Sequence, residues 1–331
     1  MTVRIIGSGS AVPDTVVTNQ DLEKRIDTTD EWIQTRTGIR QRHISSAGES
    51  ASDLAYRACR NMLSEDAHIL DGVGLVLVAT TTPDYQVFPT VSAILGHRLS
   101  LGTIPCVDLS AACTGFIYAL SAANAYIKSG MYSRVLLVCV DTLSHFLDWD
   151  DRRTCILFGD GAAALVLEAG QSDASAASGD ILAFDLHADG AGKDLLMVPE
   201  GGSRSPLTES TWANKGHCIR MDGPAIYKFA INVICESITA SLAACNLTIA
   251  DLNHFVPHQA NIRIIDSACK RLGVDAAKVR TNLERYGNTS AASIPLVLDE
   301  LRRDGSLRRN DIVAVVGFGA GLTWGSAIIR W

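Results

Sequence analysis

The 331-residue sequence lacks several features that mark common classes of protein. It has no Cys-x-x-Cys pair, and its nine cysteines are an odd number in a large chain, so a disulfide scaffold or zinc ribbon is disfavoured. The longest apolar run, Val135–Val140, is far shorter than a membrane span, and the N-terminus has no signal-peptide pattern. We therefore expect a cytoplasmic protein with reduced thiols and no membrane association.

Basic charge, aromatic residues and phosphate-binding motifs are also scarce. The 29 Lys and Arg residues are outnumbered by 36 Asp and Glu, which disfavours nucleic-acid binding. No Gly-Lys-Ser/Thr motif is present, and Val12 stands where a dinucleotide fingerprint needs a small residue, so we predict only a turn at Gly7–Val12. His254 and His258 lack the helical His-Glu-x-x-His pattern, so we expect no metal site.

The sequence does contain a regular alternation of short β-branched runs with longer alanine-rich stretches. Continuous apolar runs of this kind predict strands that are covered on both faces, as in an α/β fold. Gly130 and Gly273 stand where helix C-cap glycines are expected. The predicted strands are Val3–Ile6, Leu75–Ala79, Ile104–Asp108, Val135–Val140, Ala163–Leu167, His254–Val256 and Ile312–Val316; the predicted helices are Ser52–Ser64, Gly115–Ser129 and Ile262–Leu272.

An internal repeat indicates that the chain consists of two related halves. Ser110–Cys113 opens a predicted helix in the first half, and the similar Ser290–Ser293 opens one in the second. A predicted strand follows each helix. The repeat predicts two copies of a βα unit about a pseudo-twofold axis, with a boundary in the polar stretch 171–180. We assign residues 1–171 to the first half and 172–331 to the second.

Cys113 is the main candidate for a nucleophile. It follows a predicted strand and lies in the first turn of a helix, where the helix dipole and free N–H groups favour a thiolate. Small neighbours, including Ala112 and Gly115, leave room for a substrate. The alternative is a buried structural cysteine, an interpretation that we apply to the other eight.

Two polar residues in the second half could act with Cys113. His258 ends a predicted strand directly after Pro257, at the sheet edge where α/β proteins bind ligands, although a satisfied structural histidine is an equal alternative. Asn288 taken alone reads as a helix N-cap, but the repeat lets it face the same cleft as Cys113. Backbone N–H groups in the glycine-rich segment Gly317–Gly325 would complete an oxyanion hole with the Cys113 N–H.

Six segments carry a resemblance to a known family: Asp27–Gln41, Asp108–Phe116, Phe158–Leu167, Val256–Ile265, Tyr286–Pro295 and Gly317–Trp331. Through them the sequence resembles the β-ketoacyl-acyl-carrier-protein synthase III family, the initiating condensing enzymes of type II fatty-acid synthesis in the thiolase-like superfamily. The resemblance covers nearly the whole chain. It implies a duplicated α-β-α-β-α layered sandwich, a homodimer, and a catalytic triad of Cys113, His258 and Asn288.

The resemblance also implies roles for residues outside the triad. The backbone N–H groups of Cys113 and Ala320 would form the oxyanion hole, and Phe88 and Phe318 would shape a short acyl pocket, with Phe88 reaching across the dimer. One departure is Thr114, where the family most often has alanine. The remaining implied residues are Trp32, Arg36, Arg152 and Asn261 for coenzyme A, and Lys228, Arg263, Lys270 and Arg271 for docking of the acyl carrier protein.

The implied reaction is a decarboxylative Claisen condensation of a short acyl-CoA primer, such as acetyl-CoA, with malonyl-acyl-carrier protein through an acyl-cysteine. It needs no metal or nicotinamide, and coenzyme A thioesters enter only as substrates. Three alternatives remain at this stage: a thiolase-like enzyme of secondary metabolism that uses another acyl acceptor, a Cys-His-Asn hydrolase, and a non-catalytic coenzyme A-binding module.

Overall fold

The computed structural model describes residues 1–170 and 179–331, which form a layered α/β molecule. The strands are β1 Thr2–Ala11, β2 Thr15–Thr18, β3 Gln41–Ile44, β4 Leu75–Ala79, β5 Cys106–Leu109, β6 Arg134–Asp141, β7 Gly161–Gly170, β8 Asp180–Ala188, β9 Leu196–Met197, β10 Arg220–Met221, β11 His254–Pro257, β12 Ile312–Gly319 and β13 Thr323–Arg330. The helices are α1 Asn19–Glu23, α2 Asp30–Thr37, α3 Ala51–Glu65, α4 Val91–Arg98, α5 Gly115–Lys128, α6 Glu209–Ala213, α7 Gly223–Ala244, α8 Ile262–Leu272, α9 Leu283–Tyr286 and α10 Ser293–Arg303.

Every strand and helix predicted from periodicity overlaps an observed element. β4 and α8 have the predicted bounds, whereas β5 begins two residues later than predicted. Gly273 caps α8 in the left-handed conformation (φ 72°), and Gly130 after α5 also has positive φ (75°), as their positions predicted.

The turn predicted at Gly7–Val12 is wrong for most of its length, because Gly7–Ala11 belongs to β1. Glycine is needed there for packing rather than for turning: a Cβ at Gly9 would lie 2.5 Å from the Ala58 carbonyl oxygen on α3. Helix α3 therefore sits directly on the strand.

Two sheets of matching topology form the framework. The first has the order β1-β7-β6-β4-β5 and the second β8-β13-β12-β11. In both sheets, the first two strand pairings in this order are antiparallel and the third is parallel. The two sheets are thus copies of one arrangement, which explains the internal repeat.

Three apolar cores give the order of the layers. One contains α5 and α10 between the two sheets, the second packs α3 and α4 on the outer face of the first sheet, and the third packs α7 and α8 on the outer face of the second sheet. This is the α-β-α-β-α sandwich that the resemblance implied. The proposed boundary between residues 171 and 172 lies outside the described residues.

The structure corrects the alignment of the two halves by two residues. A short 3₁₀ turn, Ala112–Thr114, leads into α5, and an equivalent turn, Ser290–Ala292, leads into α10. Each turn begins with a residue at positive φ, 47° at Ala112 and 51° at Ser290. Ala291 therefore corresponds to Cys113. The string Ser-Ala-Ala recurs in both halves, but in a shifted register.

Among the described residues, one helix, α7, is long and apolar enough to cross a membrane, with a mean hydropathy of 1.2 over its most apolar window. Half of that window is buried inside the protein. The buried residues of α7 belong to the core on the second sheet, so its packing is that of a core helix.

Candidate active site

Cys113 lies where the first sheet meets the second half of the molecule. Its 3₁₀ turn follows β5 and precedes α5, and its side chain is buried. The end of β12 packs against this turn so closely that a Cβ at Gly319 would lie 2.9 Å from Cys113 Cβ and 3.0 Å from its nitrogen. The glycine-rich segment Gly317–Gly325 is mainly the end of β12 and the start of β13, with a three-residue connection at 320–322.

Burial favours the thiol form of Cys113 and opposes the thiolate expected from its helix position. Burial raises the pKa of Cys113 to about 12, and the nearby Asp141 carboxylate also raises it, whereas a hydrogen bond with the Ser290 side chain lowers it. Loss of hydration outweighs the favourable position because the sulfur is enclosed by protein.

His258 is held in one orientation at the end of β11. Its Nδ1 lies 2.7 Å from Ser293 Oγ. The same oxygen accepts the backbone N–H of Gln259, with 3.4 Å between nitrogen and oxygen. Where the Ser293 hydroxyl donates to Nδ1, the ring carries its proton on Nε2, and this is the tautomer that the mechanism below uses. Burial lowers the pKa of His258 to about 3, and the imidazole is therefore neutral at physiological pH and presents an N–H donor.

Asn288 is fixed through both its backbone and its side chain. Its N–H donates to the Leu157 carbonyl (2.8 Å), and its own carbonyl accepts the Gly159 N–H (3.0 Å). Its Oδ1 accepts the Ser290 N–H two residues ahead (2.9 Å). The helix N-cap expected at Asn288 is wrong, because Thr289 precedes the 3₁₀ turn and Ala292 precedes α10. With Oδ1 engaged, the amide NH₂ is the group left to act as a donor.

These three residues line one inner cavity of about 110 Å³. The structure thus brings Cys113 from the first half together with His258 and Asn288 from the second. Phe318 also lines this cavity and meets the His258 ring edge-to-face, with 5.4 Å between centroids. Phe318 thus lies beside the triad, and its assignment to the acyl pocket stays a prediction.

A larger outer cavity of about 640 Å³ reaches Cys113 from another side. Cys113 and Phe158 line both cavities, and Ala320 lines the outer one. Its wall includes Thr80–Thr82, whose hydroxyl groups donate to the buried Asp141 carboxylate at 2.9 to 3.3 Å. The cavity is suited to hold a group attached to the sulfur.

Phe88 projects away from the cavities of its own chain. Its neighbours Val87 and Pro89 line the outer cavity, but Phe88 does not, and it is 78% exposed. In a single chain, the outer cavity is therefore not closed by this ring.

The residues assigned to coenzyme A lie together on one path. The guanidinium groups of Arg36 and Arg152 lie 5.6 and 5.2 Å from the Trp32 ring centroid. Asn261 donates from Nδ2 to the Arg36 carbonyl (3.0 Å) and also lines the inner cavity. The path thus leads from an aromatic and cationic surface to the reactive cysteine.

The four residues assigned to carrier-protein docking are exposed on α7 and α8. The Arg263 guanidinium lies 5.9 Å from the Tyr227 ring centroid, next to Lys228, and Arg271 donates to Asn232 on α7 (2.7 Å). Arg263 and Arg271 therefore both lie against α7, the helix that carries Lys228. The positive charge of these four side chains therefore lies outside the inner cavity.

Sequence reasoning missed several residues of the site. Ser293 orients His258, Asp141 anchors the wall of the outer cavity, and Tyr227 lines the inner one. Ser293 lies within a segment that carried the resemblance and three residues after Ser290, so its place at the start of α10 was a usable signal. Asp141 and Tyr227 are ordinary residues of a strand and a helix, and no local pattern marked them.

The fold and the site together define a class. A buried thiol, a neutral imidazole that offers an N–H, and a carboxamide meet between two copies of a layered half, and this constellation is that of a thiolase-like condensing enzyme.

Comparisons with known proteins identify the family within that class. The family models described as 3-oxoacyl-[acyl-carrier-protein] synthase III and its C-terminal part match residues 107–190 and 242–331. The β-ketoacyl-[acyl-carrier-protein] synthase III of Desulfitobacterium hafniense is 46% identical over 331 residues, which cover 100% of this chain and 98% of that protein. The chain belongs to the 3-oxoacyl-[acyl-carrier-protein] synthase III family, and it is a condensing acyltransferase of fatty-acid synthesis.

Solved structures agree with this assignment. The β-ketoacyl-[acyl carrier protein] synthase III of Thermus thermophilus is 40% identical, with a TM-score of 0.90 and coverage of 99% of both chains. The priming β-ketosynthase of the R1128 polyketide pathway is 33% identical, with a TM-score of 0.89 and coverage of 99% of this chain and 96% of that one.

Proposed function

We propose that the enzyme joins a short acyl group from acyl-CoA, such as acetyl, to malonyl-acyl-carrier protein, through an acyl group carried on Cys113. The observation that carries the proposal is the shared inner cavity of Cys113, His258 and Asn288. A nucleophile and two neutral donors in one enclosed space match the two half-reactions of a decarboxylative condensation. The donors would have no such use in simple hydrolysis by water.

The first half-reaction loads the acyl group. The Cys113 sulfur attacks the thioester carbonyl, the bond to the coenzyme A sulfur breaks, and the Cys113 proton ends on the released thiol. The N–H groups of Cys113 and Ala320 would stabilise the oxyanion. In the described parts of the chain, no acceptor takes the Ala320 N–H, and both residues line the outer cavity, where the acyl chain would lie.

The second half-reaction extends the acyl group. The malonyl thioester carbonyl accepts hydrogen bonds from His258 Nε2–H and the Asn288 amide, and loss of carbon dioxide leaves an enolate on that oxygen. The enolate carbon attacks the acyl-Cys113 carbonyl, the thioester bond to sulfur breaks, and a proton restores the thiol. Two neutral donors suit the developing negative charge better than a carboxylate, and no step needs a metal or a nicotinamide.

The surface features support the proposed partners. Trp32, Arg36 and Arg152 offer an aromatic face and two cations to the nucleotide end of coenzyme A, and Asn261 extends the path inward. We further propose a homodimer in which Phe88 of each chain closes the partner's outer cavity and limits the primer to a short chain. The nine free thiols suit a cytoplasmic setting, and residues 1–171 and 172–331 are proposed as the two halves.

A second candidate is the priming of secondary-metabolite synthesis, which uses the same chemistry on another carrier. The 33% identity and full coverage shared with the polyketide priming synthase favour its consideration. Phe88 does not close the outer cavity of its own chain, so the length of primer that fits would depend on the residues that a partner chain places there.

Intact-protein mass spectrometry with a series of acyl-CoAs tests the proposal. We expect one acyl group per chain, on Cys113, with acetyl transferred fastest, followed by carbon dioxide release and product formation when malonyl-acyl-carrier protein is added. Carriers from fatty-acid and polyketide systems, compared in parallel, separate the two candidates. Acyl groups lost to water at the same rate with or without the malonyl substrate would contradict both.

Charge reversal at Arg263 tests the docking surface. We expect Arg263→Glu to raise the KM for malonyl-acyl-carrier protein about tenfold, because an acidic carrier would lose an attractive contact at the rim. Loading of Cys113 from acetyl-CoA should stay within twofold of the parent. Arg309→Glu, at an exposed site near the end of the second half, is the matched control. An equal loss in both steps would exclude a docking role.

A further inference from the structure

Thr114, directly after the nucleophile, directs its hydroxyl group away from its own helix. It occupies the N-cap position of α5, where a threonine side chain ordinarily accepts an N–H from the first turn. No such capping bond forms here. The side chain is fully buried, and its hydroxyl instead donates to the Thr323 carbonyl in the second half (3.1 Å).

Thr323 returns the contact from the first residue of β13. Its Oγ1 lies 3.2 Å from Thr114 Oγ1 and 3.1 Å from each of the carbonyl oxygens of Ala111 and Ala320. Ala111 directly precedes the turn that carries Cys113, and Ala320 begins the connection between β12 and β13. One hydroxyl group therefore touches both backbone segments that supply the proposed oxyanion hole.

The rest of the connection 320–322 is held on its other sides. Gly319 packs against the Cys113 backbone, and Leu322 exchanges two backbone hydrogen bonds with Asp189 (2.8 and 2.9 Å). The pair Thr114–Thr323 is the side-chain link between this connection and the Cys113 turn. Its removal would leave packing alone to set the separation between the two N–H donors.

We propose that Thr114 is a positioning residue that, with Thr323, sets the geometry of the oxyanion hole formed by the Cys113 and Ala320 N–H groups. This inference rests on the proposed function, because it assumes that an acyl group is carried on Cys113. The hydroxyl group of Thr114 does not touch the substrate. It acts through Thr323: the Thr114 hydroxyl donates to the Thr323 carbonyl, and the Thr323 hydroxyl lies 3.1 Å from the Ala320 carbonyl oxygen. Oxyanion stabilisation depends steeply on the distance between the Ala320 N–H and the reacting carbonyl.

The test compares Thr114→Val, which keeps the shape and removes the hydroxyl, with Thr114→Ser, which keeps the hydroxyl. Each variant is loaded with carbonyl-labelled acetyl-CoA, and the infrared carbonyl band of acetyl-Cys113 is recorded with the loading rate. We expect Thr114→Val to load about three- to tenfold more slowly at an unchanged KM for acetyl-CoA, the loss expected for one hydrogen bond. Its carbonyl band should move to higher wavenumber, because the carbonyl is less polarised. Thr114→Ser should restore both values.

The outcomes separate this inference from the proposed function. Absence of acetyl-Cys113 in the parent protein would overturn the proposed function itself. If the parent loads but Thr114→Val keeps the parental band and a rate within twofold, the positioning role is wrong. It is also wrong if Thr114→Ser behaves like Thr114→Val, since the methyl group would then be the feature that matters. If Thr114→Val does not fold, Thr114→Ala takes its place, and failure of both to fold would assign Thr114 to folding alone and overturn the inference.

Discussion

Replacing Cys113 by alanine is expected to abolish acyl loading while leaving decarboxylation of the malonyl substrate in place. The sulfur is the atom that would carry the acyl group, whereas His258 and Asn288, which line the same cavity, would hold the malonyl thioester through contacts that do not involve the sulfur. We expect loading from acetyl-CoA to fall by about 10³-fold or more, to the detection limit of intact-protein mass spectrometry. Carbon dioxide release from malonyl-acyl-carrier protein should persist without condensed product.

Cys245→Ala is the matched control for this variant. Cys245 ends α7, its thiol donates to the Ser241 carbonyl, and it lines neither cavity. Its loss should leave loading and condensation unchanged. If Cys113→Ala still accepted an acyl group on another residue, or if both half-reactions disappeared together in a folded protein, the division of labour proposed for the site would be incorrect.

The opposite separation is expected for Asn288→Asp. The new carboxylate is nearly isosteric and can still accept the Ser290 N–H, but it replaces an amide donor by a negative charge beside the forming enolate. Loss of one preorganised donor costs about 10²- to 10³-fold, and the added charge increases this loss. We expect decarboxylation and condensation to fall by about 10³-fold, while acetyl loading of Cys113 is retained within about tenfold. Stopped-flow loading and carbon dioxide release measure the two steps.

Asn310→Asp provides the control for the change of charge, because Asn310 is exposed in a turn before β12. It should leave both steps unaltered. A folded Asn288→Asp protein that still condensed at a rate close to the parent would show that Asn288 only holds the turn through the Ser290 N–H. Loss of loading equal to the loss of condensation would place Asn288 in the first half-reaction instead.

Much of the framework could be predicted from the sequence because its signals are local. Periodic apolar runs located the strands, and the context of strand, turn and helix singled out Cys113. The register of the repeat could not be read in the same way. Ser-Ala-Ala recurs by composition, whereas the true equivalence of Ala112 with Ser290 is a backbone property, namely positive φ at the start of each turn.

The protonation of the side chains in the site depends on burial, and no short sequence motif encodes burial. The helix position of Cys113 predicted a thiolate, but enclosure by both halves raises its pKa to about 12. Similarly, the contact that orients the His258 ring comes from Ser293, 35 residues further along the chain. The edge-to-face contact of Phe318 with the His258 imidazole likewise depends on the packing of β12 against β11.

The equivalence of Cys113 and Ala291 explains why the two repeats had to diverge. The starts of α5 and α10 are so close that a Cβ on Gly115 would lie 3.1 Å from the Ala291 Cβ. An alanine at position 291 suits this close approach, because a larger side chain there would crowd the start of α5. The two repeats accordingly differ at this pair of positions: the first carries the sulfur, and the second supplies His258 and Asn288.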